Sequence, residues 1–332
     1  MGAADDVWRL VNGFQVTEAL HVAATLGVSD LLADGPRDVD ALAEEADCHP
    51  DALYRLLRAL STVGVYEELP GRRFATTAQA RALEADADPS LSAWARYVGR
   101  PATRAAWAGL LDGVRTGAEP FTAVHGMSAW EYRQERPAEN ALFDDAMAQL
   151  SAREATWVLD AYDLAGVGTI VDVGGGRGRL LAEALTRHPR ATGVLFDQEH
   201  VLADAAGLLR ARGVEDRVRL VPGDFFEQVP PGGDVYLLKS IVHDWDDAEA
   251  VALLRCCRAA MTEGARLALV ERLLEGPNEG RLAAFSDLNM LVLQGGRERT
   301  TDGYTALLDA AGLRLTQVVP TGNFHVLEAV PA

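Results

Sequence analysis

A histidine flanked by acidic and aromatic residues stands where an apolar run gives way to a helical pattern. The run is "LLKSIVHDWDDAEA", residues 237 to 250, and the histidine is His243. An imidazole can remove a proton during a reaction, because its pKa is close to neutral pH. A hydrogen-bonded structural histidine would give the same pattern, so the residues at other strand ends are needed to distinguish the two interpretations.

A glycine-rich loop follows the first strand of the same half of the chain. In "VDVGGGRGRLL", Gly174, Gly176 and Gly178 follow a GxGxG spacing, whereas the dinucleotide fingerprint needs GxGxxG, which no frame supplies. Asp172 precedes the loop and would oppose the pyrophosphate that a dinucleotide brings to a helix N-terminus. The loop therefore favours a ligand that carries a positive charge.

Acidic residues also end the next two predicted strands. Asp197 follows Gly178 at close to the roughly 20-residue interval at which an acidic group binds ribose hydroxyls. In "PGDFF", Asp224 can accept a hydrogen bond from an exocyclic amine and Phe225 offers a flat face to a purine. A nucleoside with a positive charge and no phosphate indicates S-adenosylmethionine.

The elements that must position these residues begin at residue 168. Short apolar runs such as "TIVDVG" and "DVYLLKSIV" alternate with helical segments of roughly 10 to 15 residues, which predicts a parallel sheet covered on both faces. In such a doubly wound α/β domain, ligands bind outside the carboxyl ends of the strands. The acidic, glycine and histidine residues are therefore expected to meet at one edge of the sheet.

The N-terminal part reads as a winged helix. Two amphipathic helices are separated by "ADCHP", and "VYEEL", "PGR" and "RFATT" predict a hairpin after them. Such folds often bind DNA, but the second helix offers only Arg55 and Arg58, and the net charge of the chain is -18. Dimerisation or a substrate lid is the favoured role, with no nucleic-acid or membrane partner.

Composition gives few other signals. The three cysteines show neither a disulfide framework nor a CxxC metal spacing, and no convincing metal cluster is present. No signal peptide and no apolar run of roughly 18 residues is found, so a cytoplasmic protein is expected. Residues 90 to 160 look largely helical, with scattered aromatic residues that favour core packing.

The chain resembles the plant-type family of S-adenosylmethionine-dependent O-methyltransferases, including bacterial enzymes that modify aromatic natural products. The matching runs are "VDVGGGRGRLLAEAL", "FDQEHV", "GDFFEQVP", "LLKSIVHDWDDAEAVALLRCCRAAM", "DLNMLVLQGGRERT" and "LLDAAGL". The resemblance implies a winged-helix dimerisation domain at 1–95, a helical linker or substrate-lid region at 96–160, and a Rossmann-like class I methyltransferase domain at 161–332. It also implies a homodimer that methylates a hydroxyl of an aromatic or polyketide-type molecule and releases S-adenosylhomocysteine.

The same resemblance implies roles for individual residues. His243 would be the general base, Glu271 would orient it, and Asp244 would assist them. Methyl transfer needs alignment of nucleophile, methyl and sulfur and requires no metal. The expected cofactor contacts are Asp172, Gly174, Gly176, Asp197, Gly223, Asp224, Phe225, Phe226, Lys239, Ser240 and Trp245. The expected acceptor contacts are Trp107, Met147, Asn289, Met290 and Asp302, although methionines at helical spacing are more often core residues.

The sequence departs from the family pattern at one place. Many members carry a second glutamate beside the base after "RERT", and the aligned position here is Gly303, next to Asp302. If Asp302 does not turn inward, His243 depends on Glu271 and Asp244 for its orientation. Some relatives have lost methyl transfer, so the alternative hypothesis is a cofactor-binding enzyme that performs hydroxylation or decarboxylation.

Overall fold

The computed structural model describes residues 2–332, which divide into two compact units. The N-terminal unit comprises the residues up to Arg104 together with Arg136–Arg153, and the sheet unit comprises Ala105–Glu135 and Glu154–Ala332. The segment Ala105–Glu135 thus belongs to the same unit as the large sheet. Within the part of the chain that the structure describes, no helix is both long and apolar enough to cross a membrane.

The N-terminal unit contains the predicted helix, turn, helix and hairpin. Pro50 is the first residue of the second helix, and the His49 side chain caps that helix by accepting from the Ala52 amide. Its buried stripe packs into one core with the hairpin residues Tyr66 and Phe74. The elements are α1 (Ala3–Val11), α2 (Gly13–Thr25), α3 (Val28–Leu31), β1 (Arg37–Asp38), α4 (Val39–Glu45), α5 (Pro50–Ser61), β2 (Tyr66–Leu69), β3 (Arg73–Thr76), α6 (Ala78–Arg81) and α7 (Ser92–Val98).

Helices fill the middle of the chain, as the sequence predicts. They are α8 (Pro101–Ala108), α9 (Leu110–Thr116), α10 (Pro120–His125), α11 (Ala129–Gln134) and α12 (Pro137–Ala161). The helix α11 begins with a capping box, in which Ser128 and Glu131 bond each other's backbone amides.

A seven-stranded sheet forms the centre of the sheet unit. Its strand order is β6-β5-β4-β7-β8-β10-β9, and the five strands from β6 to β8 run parallel, with β10 antiparallel to both neighbours. This confirms the doubly wound α/β fold class. Its elements are β4 (Thr169–Val173), α13 (Arg179–Arg187), β5 (Thr192–Asp197), α14 (Glu199–Leu202), α15 (Ala205–Ala211), β6 (Val218–Pro222), β7 (Val235–Lys239), α16 (Asp247–Ala260), β8 (Arg266–Glu271), α17 (Arg281–Leu293), α18 (Thr301–Ala310), β9 (Leu313–Thr321) and β10 (Phe324–Pro331).

The order of the strands explains why the predicted ligand residues converge. The parallel strands β5, β4, β7 and β8 are adjacent and end in Asp197, Val173, Lys239 and Glu271. Apolar side chains cover both faces of the sheet in two separate core clusters. Polar groups at the strand ends therefore lie at the edge of a rigid platform.

Candidate active site

His243 lies in a 3₁₀ turn, Val242–Asp244, between β7 and α16. Only 6% of the residue is exposed. Its Nδ1 atom is 2.9 Å from Oε1 of Glu298, which is the distance of a charge-assisted hydrogen bond. This bond fixes the ring and directs the second nitrogen, Nε2, away from Glu298.

Glu298 lies in the loop between α17 and α18 and is itself held in place. Its Oε1 atom also accepts a 2.6 Å hydrogen bond from the Ser286 hydroxyl, and its backbone amide donates to Asp287. The carboxylate is 2% exposed. Two residues of α17 therefore determine where Glu298 meets the imidazole.

The loop that carries Glu298 is docked on the backbone of the histidine turn. The Arg297 amide donates to the His243 carbonyl at 2.8 Å. A Cβ atom at Gly296 would lie 2.1 Å from that carbonyl oxygen, so only glycine permits this approach. The Arg299 guanidinium donates to the carbonyls of Val242 and Trp245, which lie before and after His243 in the chain.

Glu271, at the end of β8, supports the turn rather than the ring. Its Oε1 atom accepts from the amides of Ile241 and Val242 at 3.1 and 2.8 Å. Its Oε2 atom is 3.6 Å from the Nδ1 atom of His243, beyond hydrogen-bond distance. Glu271 thus holds the backbone from which the imidazole projects and adds negative charge beside it.

Asp244 lies at the opposite edge of the imidazole. Its Oδ1 atom is 3.5 Å from Nε2 of His243. Burial raises the pKa of Asp244 to about 6, while the charges of His243 and Arg133 act against that increase. Arg133 is 4% exposed on α11, where its guanidinium lies over the Trp130 ring.

The carboxylates govern the charge of the imidazole. Burial lowers the pKa of His243, but Glu271, Glu298 and Asp244 outweigh burial and raise it to about 10. Burial also raises the pKa of Glu271 to about 7. In the site without ligands, the buried carboxylates therefore favour the protonated form of the ring.

The grouping of His243, Glu271 and Glu298 also satisfies a distance criterion for metal ligands. One ligand-type atom from each lies within 4.8 Å of the others. A histidine held by two carboxylates has the same spacing, and the direct contact between Nδ1 and Oε1 is a hydrogen bond. We interpret the group as an acid–base cluster.

The glycine loop after β4 adopts a conformation suited to close ligand approach. Gly174, Gly176 and Gly178 all have positive φ, at 66°, 60° and 80°. The Gly176 amide donates to Oδ2 of Asp197 at 2.8 Å, which joins the loop to the end of β5. A hydrogen bond therefore links the glycine-rich loop after β4 to the end of β5.

Asp172 lies beneath this loop and is 1% exposed. Its Oδ2 atom has no hydrogen-bond partner among the described residues. Burial, followed by the charge of Asp197, raises the pKa of Asp172 to about 7, and the charge of Lys239 opposes the shift. Lys239 itself donates to Glu154 at 2.8 Å. A buried carboxyl oxygen without a partner fits a ligand that brings a positive charge.

Four aromatic rings gather at the ends of β6 and β7. Trp245 stacks nearly parallel to Trp130, with ring centroids 6.0 Å apart, and meets the edges of Phe225 and Phe226 at 5.9 and 4.7 Å. The buried indole nitrogen of Trp245 has no partner among the described residues. This cluster suits a flat heterocycle that can accept a hydrogen bond.

Three other residues expected at the cofactor have mainly backbone roles in this structure. Asp224 is exposed and accepts from the Phe226 amide, and Gly223 donates its amide to the Asp197 carbonyl. Ser240 has a φ of 55°, which is uncommon for a residue with a side chain, at the end of β7.

The residues expected to contact the acceptor come from different elements of the chain. Asn289 and Met290 lie on α17, one turn beyond Ser286, and Met290 is buried. Trp107 is half-buried on α8. Met147 belongs to the N-terminal unit, where it packs against a cluster that includes Tyr97 and Ala146, as a core methionine does.

Comparison with known proteins agrees with the geometry. An O-methyltransferase domain model matches residues 107–314, and an O-methyltransferase dimerisation domain model matches residues 8–86. The chain belongs to the O-methyltransferase family. The mitomycin biosynthesis 6-O-methyltransferase of Streptomyces lavendulae is 41% identical over 96% of this chain and 92% of its own length.

Solved structures of the family have the same fold over the whole chain. The crystal structure of LaPhzM superposes with a TM-score of 0.97, at 37% identity and full coverage of both chains. NcsB1, an O-methyltransferase from neocarzinostatin biosynthesis, was solved with S-adenosylmethionine and 2-hydroxy-5-methyl naphthoic acid. It superposes with a TM-score of 0.80, at 31% identity over 95% of this chain and 96% of that one.

The structure corrects the expectation about the second glutamate of this O-methyltransferase. The aligned Gly303 suggested that this group was missing, but Glu298 provides it from within "RERT" itself. Asp302 is exposed in the first turn of α18 and does not approach the base. Orientation of His243 therefore does not rest on Glu271 and Asp244 alone. The family pattern points to Gly303, five residues further along the chain than the glutamate that contacts the ring.

Proposed function

We propose that this O-methyltransferase transfers the methyl group of S-adenosylmethionine to a hydroxyl of an aromatic small molecule, with His243 as the general base. The observation that carries the proposal is the 2.9 Å bond between His243 Nδ1 and Glu298 in a buried turn at the carboxyl edge of the sheet. The naphthoic acid bound to NcsB1 supports an aromatic acceptor.

The residues at the strand ends fit S-adenosylmethionine. Bound there, it supplies a methyl group on a positively charged sulfur. Asp172 offers a buried carboxyl oxygen for positive charge, the open backbone at Gly176 leaves room for the ligand, and Trp245 offers a ring face and an unpartnered N–H group. We assign Asp197 to the ribose hydroxyls, because it ends the strand next to the glycine loop.

The residues around His243 divide the proton transfer between them. In its neutral form, the Nε2 atom accepts the proton of the acceptor hydroxyl while Nδ1 keeps its hydrogen bond to Glu298. Glu298 stabilises the imidazolium that forms, as carboxylates do for other catalytic histidines. Glu271 holds the backbone of the turn, so the ring keeps its position during the transfer.

The test is incubation with S-adenosylmethionine and a panel of hydroxylated aromatic compounds, followed by mass spectrometry for S-adenosylhomocysteine and methylated product. We expect His243→Ala to lower turnover by about 10²–10⁴-fold while S-adenosylhomocysteine still binds in calorimetry. His188→Ala, at the far end of α13 from the glycine loop, is the control. Near-native methylation by His243→Ala would remove His243 from the base role. A family relative with hydroxylating or decarboxylating chemistry would give no S-adenosylhomocysteine with any acceptor.

We also propose that the protein is a homodimer assembled through α1 and the start of α2. Five apolar side chains there are between 53% and 73% exposed in the single chain, namely Val7, Trp8, Leu10, Val11 and Phe14. The dimerisation domain model, which matches residues 8–86, includes four of these five residues. Sedimentation analysis should show a dimer for the wild type and a monomer for Trp8→Glu with Val11→Glu, whereas Val63→Glu, exposed elsewhere in this unit, should leave the dimer intact.

A further inference from the structure

One oxygen atom of Glu298 takes part in two hydrogen bonds with different parts of the chain. Its Oε1 atom lies 2.9 Å from Nδ1 of His243 and accepts a 2.6 Å bond from the Ser286 hydroxyl. A carboxylate oxygen offers two lone pairs, so these two donors occupy both. The 2.6 Å separation is typical of a hydroxyl that donates to an ionised carboxylate. Ser286 therefore binds the same atom that holds the ring of the base.

The other hydrogen bonds at Glu298 fix its backbone and leave the carboxylate free to turn. The Glu298 amide donates to Oδ1 of Asp287 at 2.9 Å, and the Arg297 amide donates to the His243 carbonyl at 2.8 Å. Oε2 of Glu298 is buried and has no hydrogen-bond partner among the described residues. The last torsion of a glutamate side chain is broad, so one contact at Oε1 does not fix the plane of the carboxylate. The second contact, from Ser286, fixes it.

Ser286 is half-buried on a helix that is anchored in the sheet unit. The buried residues of α17 are Ala283, Met290, Val292 and Leu293. A serine within a helix often bonds a carbonyl of the preceding turn, but this hydroxyl bonds a side chain 12 residues further along the chain. An anchored helix thus presents the hydroxyl to Glu298 as a fixed donor.

Loss of the Ser286 hydroxyl can act on His243 in two ways that have opposite signs. If the hydroxyl only draws charge from Glu298, its removal makes the carboxylate a stronger partner and raises the pKa of His243. If the hydroxyl holds Oε1 against Nδ1, its removal lets the oxygen turn away and lowers that pKa. The free torsion of Glu298 and the shared oxygen favour the second effect.

We propose that Ser286 is a positioning residue for methyl transfer, whose hydroxyl holds Oε1 of Glu298 against the ring of His243. The inference rests on the proposed function of His243 as base. With Nδ1 bound to Glu298, Nε2 stays directed to the acceptor, and the carboxylate stabilises the imidazolium that proton transfer produces. Ser286 itself touches neither the imidazole nor the reacting atoms in this scheme.

The other charges around this pair are unchanged when the hydroxyl is removed. The charged groups that act on His243, Asp244 or Glu298 are Asp244 in the same turn, Glu271 at the end of β8, Arg272 directly after it, Arg133 on α11 and Asp287 on α17. Ser286→Ala alters none of these charges. A downward displacement of the His243 titration in this variant therefore reports that Glu298 has moved.

The test is Ser286→Ala, which removes one oxygen atom. Proton and nitrogen-15 NMR of histidine-labelled protein, assigned with His243→Asn, should show a hydrogen-bonded Nδ1 proton of His243 in the wild type. In Ser286→Ala, this proton should exchange with water and the pKa of His243 should fall by about one unit. An unchanged Nδ1 proton, or a raised pKa, in a folded Ser286→Ala protein would overturn the proposal.

Ser286→Thr keeps the hydroxyl and is the rescue variant. With an acceptor, kcat of Ser286→Ala should fall by about 10-fold, equivalent to roughly 1.4 kcal/mol, with little change in KM, while Ser286→Thr should stay close to the wild type. Equal losses of kcat in the two variants would contradict a role of the hydroxyl. A raised KM with unchanged kcat would assign Ser286 to acceptor binding and would also contradict the proposal.

The chain offers a matched control for the loss of a hydroxyl that donates to a buried glutamate. Thr316 donates to Oε1 of Glu328 at 2.9 Å, and Glu328 is 7% exposed. Thr316→Val removes this bond elsewhere in the same unit, and the His243 titration should stay unchanged. Equal displacement in Thr316→Val and Ser286→Ala would show a general effect of destabilisation and would contradict the proposal.

A double mutant tests whether Ser286 acts through Glu298. In a Glu298→Gln background, Ser286→Ala should produce little further displacement of the His243 titration. Additive displacements would contradict the proposed route. The NMR measurements need no acceptor, so they test this inference even if no methyl transfer is found, a result that would contradict the proposed function alone.

Discussion

Asp172 and Glu298 are equally buried, yet their acidities are displaced in opposite directions. They are 1% and 2% exposed, and burial by itself raises the pKa of both. The charge of His243 and its hydrogen bond reverse the effect at Glu298, whose pKa is lowered, whereas the pKa of Asp172 is raised to about 7. The difference between the two sites is direct contact with a cationic group: Glu298 is hydrogen-bonded to His243, whereas the Lys239 charge only partly offsets the burial of Asp172.

This difference indicates two uses of buried negative charge at one sheet edge. Glu298 is hydrogen-bonded to His243, so it fixes the catalytic ring and favours its protonated form. Asp172 has an oxygen atom with no partner, so it is ready for a cation that the ligand brings. One site is complete in the folded chain and the other is completed by binding.

The largest effect is expected from breaking the contact that places Glu298. Gly296→Ala would put a methyl group 2.1 Å from the His243 carbonyl oxygen and push the Glu298 loop away from the ring. Methyl transfer should fall by on the order of 10²–10⁴-fold, as for loss of the base. Gly207→Ala is the control, because nothing lies within 4 Å of its added Cβ. The rate is measured as S-adenosylhomocysteine formed. An equal loss of methyl transfer in Gly296→Ala and Gly207→Ala would contradict the role of loop docking.

A smaller effect is expected when Asp172 is made neutral without ligand. The unfolded pKa is about 3.9 and the folded pKa about 7, so the folded state binds more protons and loses stability as pH rises between these values. Asp172→Asn removes that loss and should raise the unfolding free energy at pH 8 by on the order of 2–4 kcal/mol. At pH 4 the gain should vanish.

Urea denaturation at both pH values measures this gain. Asp302→Asn is the control, because Asp302 is exposed and its neutralisation should change stability little at either pH. A destabilised Asp172→Asn protein at pH 8 would mean that Asp172 has a cationic partner in the unliganded chain, and the contrast with Glu298 would disappear.

The smallest effect concerns communication between the two sites. S-adenosylmethionine and S-adenosylhomocysteine differ by the methyl group and its sulfonium charge, so the pair isolates the influence of that charge on His243. A cation near the imidazolium lowers the pKa of His243 from about 10. Nitrogen-15 NMR should place this pKa about one unit lower with S-adenosylmethionine than with S-adenosylhomocysteine. Identical His243 titrations with the two ligands would contradict this expectation, because the sulfonium charge would then have no influence on the imidazole.

Much of the fold was predictable because its signals are local. Alternating apolar runs and helical segments predicted the parallel sheet, and Pro50 with the leucine stripe of α5 predicted the helix of the winged fold. Strand ends also predicted that Asp172, Asp197 and His243 would lie at one edge, because parallel strands share a direction.

The arrangement around the base was less predictable because it depends on long-range contacts. Glu298 is 55 residues from His243 and reaches it only because the Gly296 backbone meets the His243 carbonyl. Trp130 and Arg133 belong to the segment Ala105–Glu135, and Trp130 stacks on Trp245. No sequence pattern indicated that this segment is part of the sheet unit.

The most direct test of the two uses of buried charge compares Asp172→Asn with His243→Asn in parallel. Calorimetry gives the dissociation constant of S-adenosylmethionine, and single-turnover assays at saturating cofactor give the methyl-transfer rate. Asp172→Asn should weaken binding by about 10-fold, equivalent to roughly 1.4 kcal/mol, with the saturated rate nearly unchanged. His243→Asn should lower the rate by about 10²–10⁴-fold and leave binding within about 2-fold, less than roughly 0.5 kcal/mol. If each variant lost binding and rate together, the two carboxylate sites would not have separate functions.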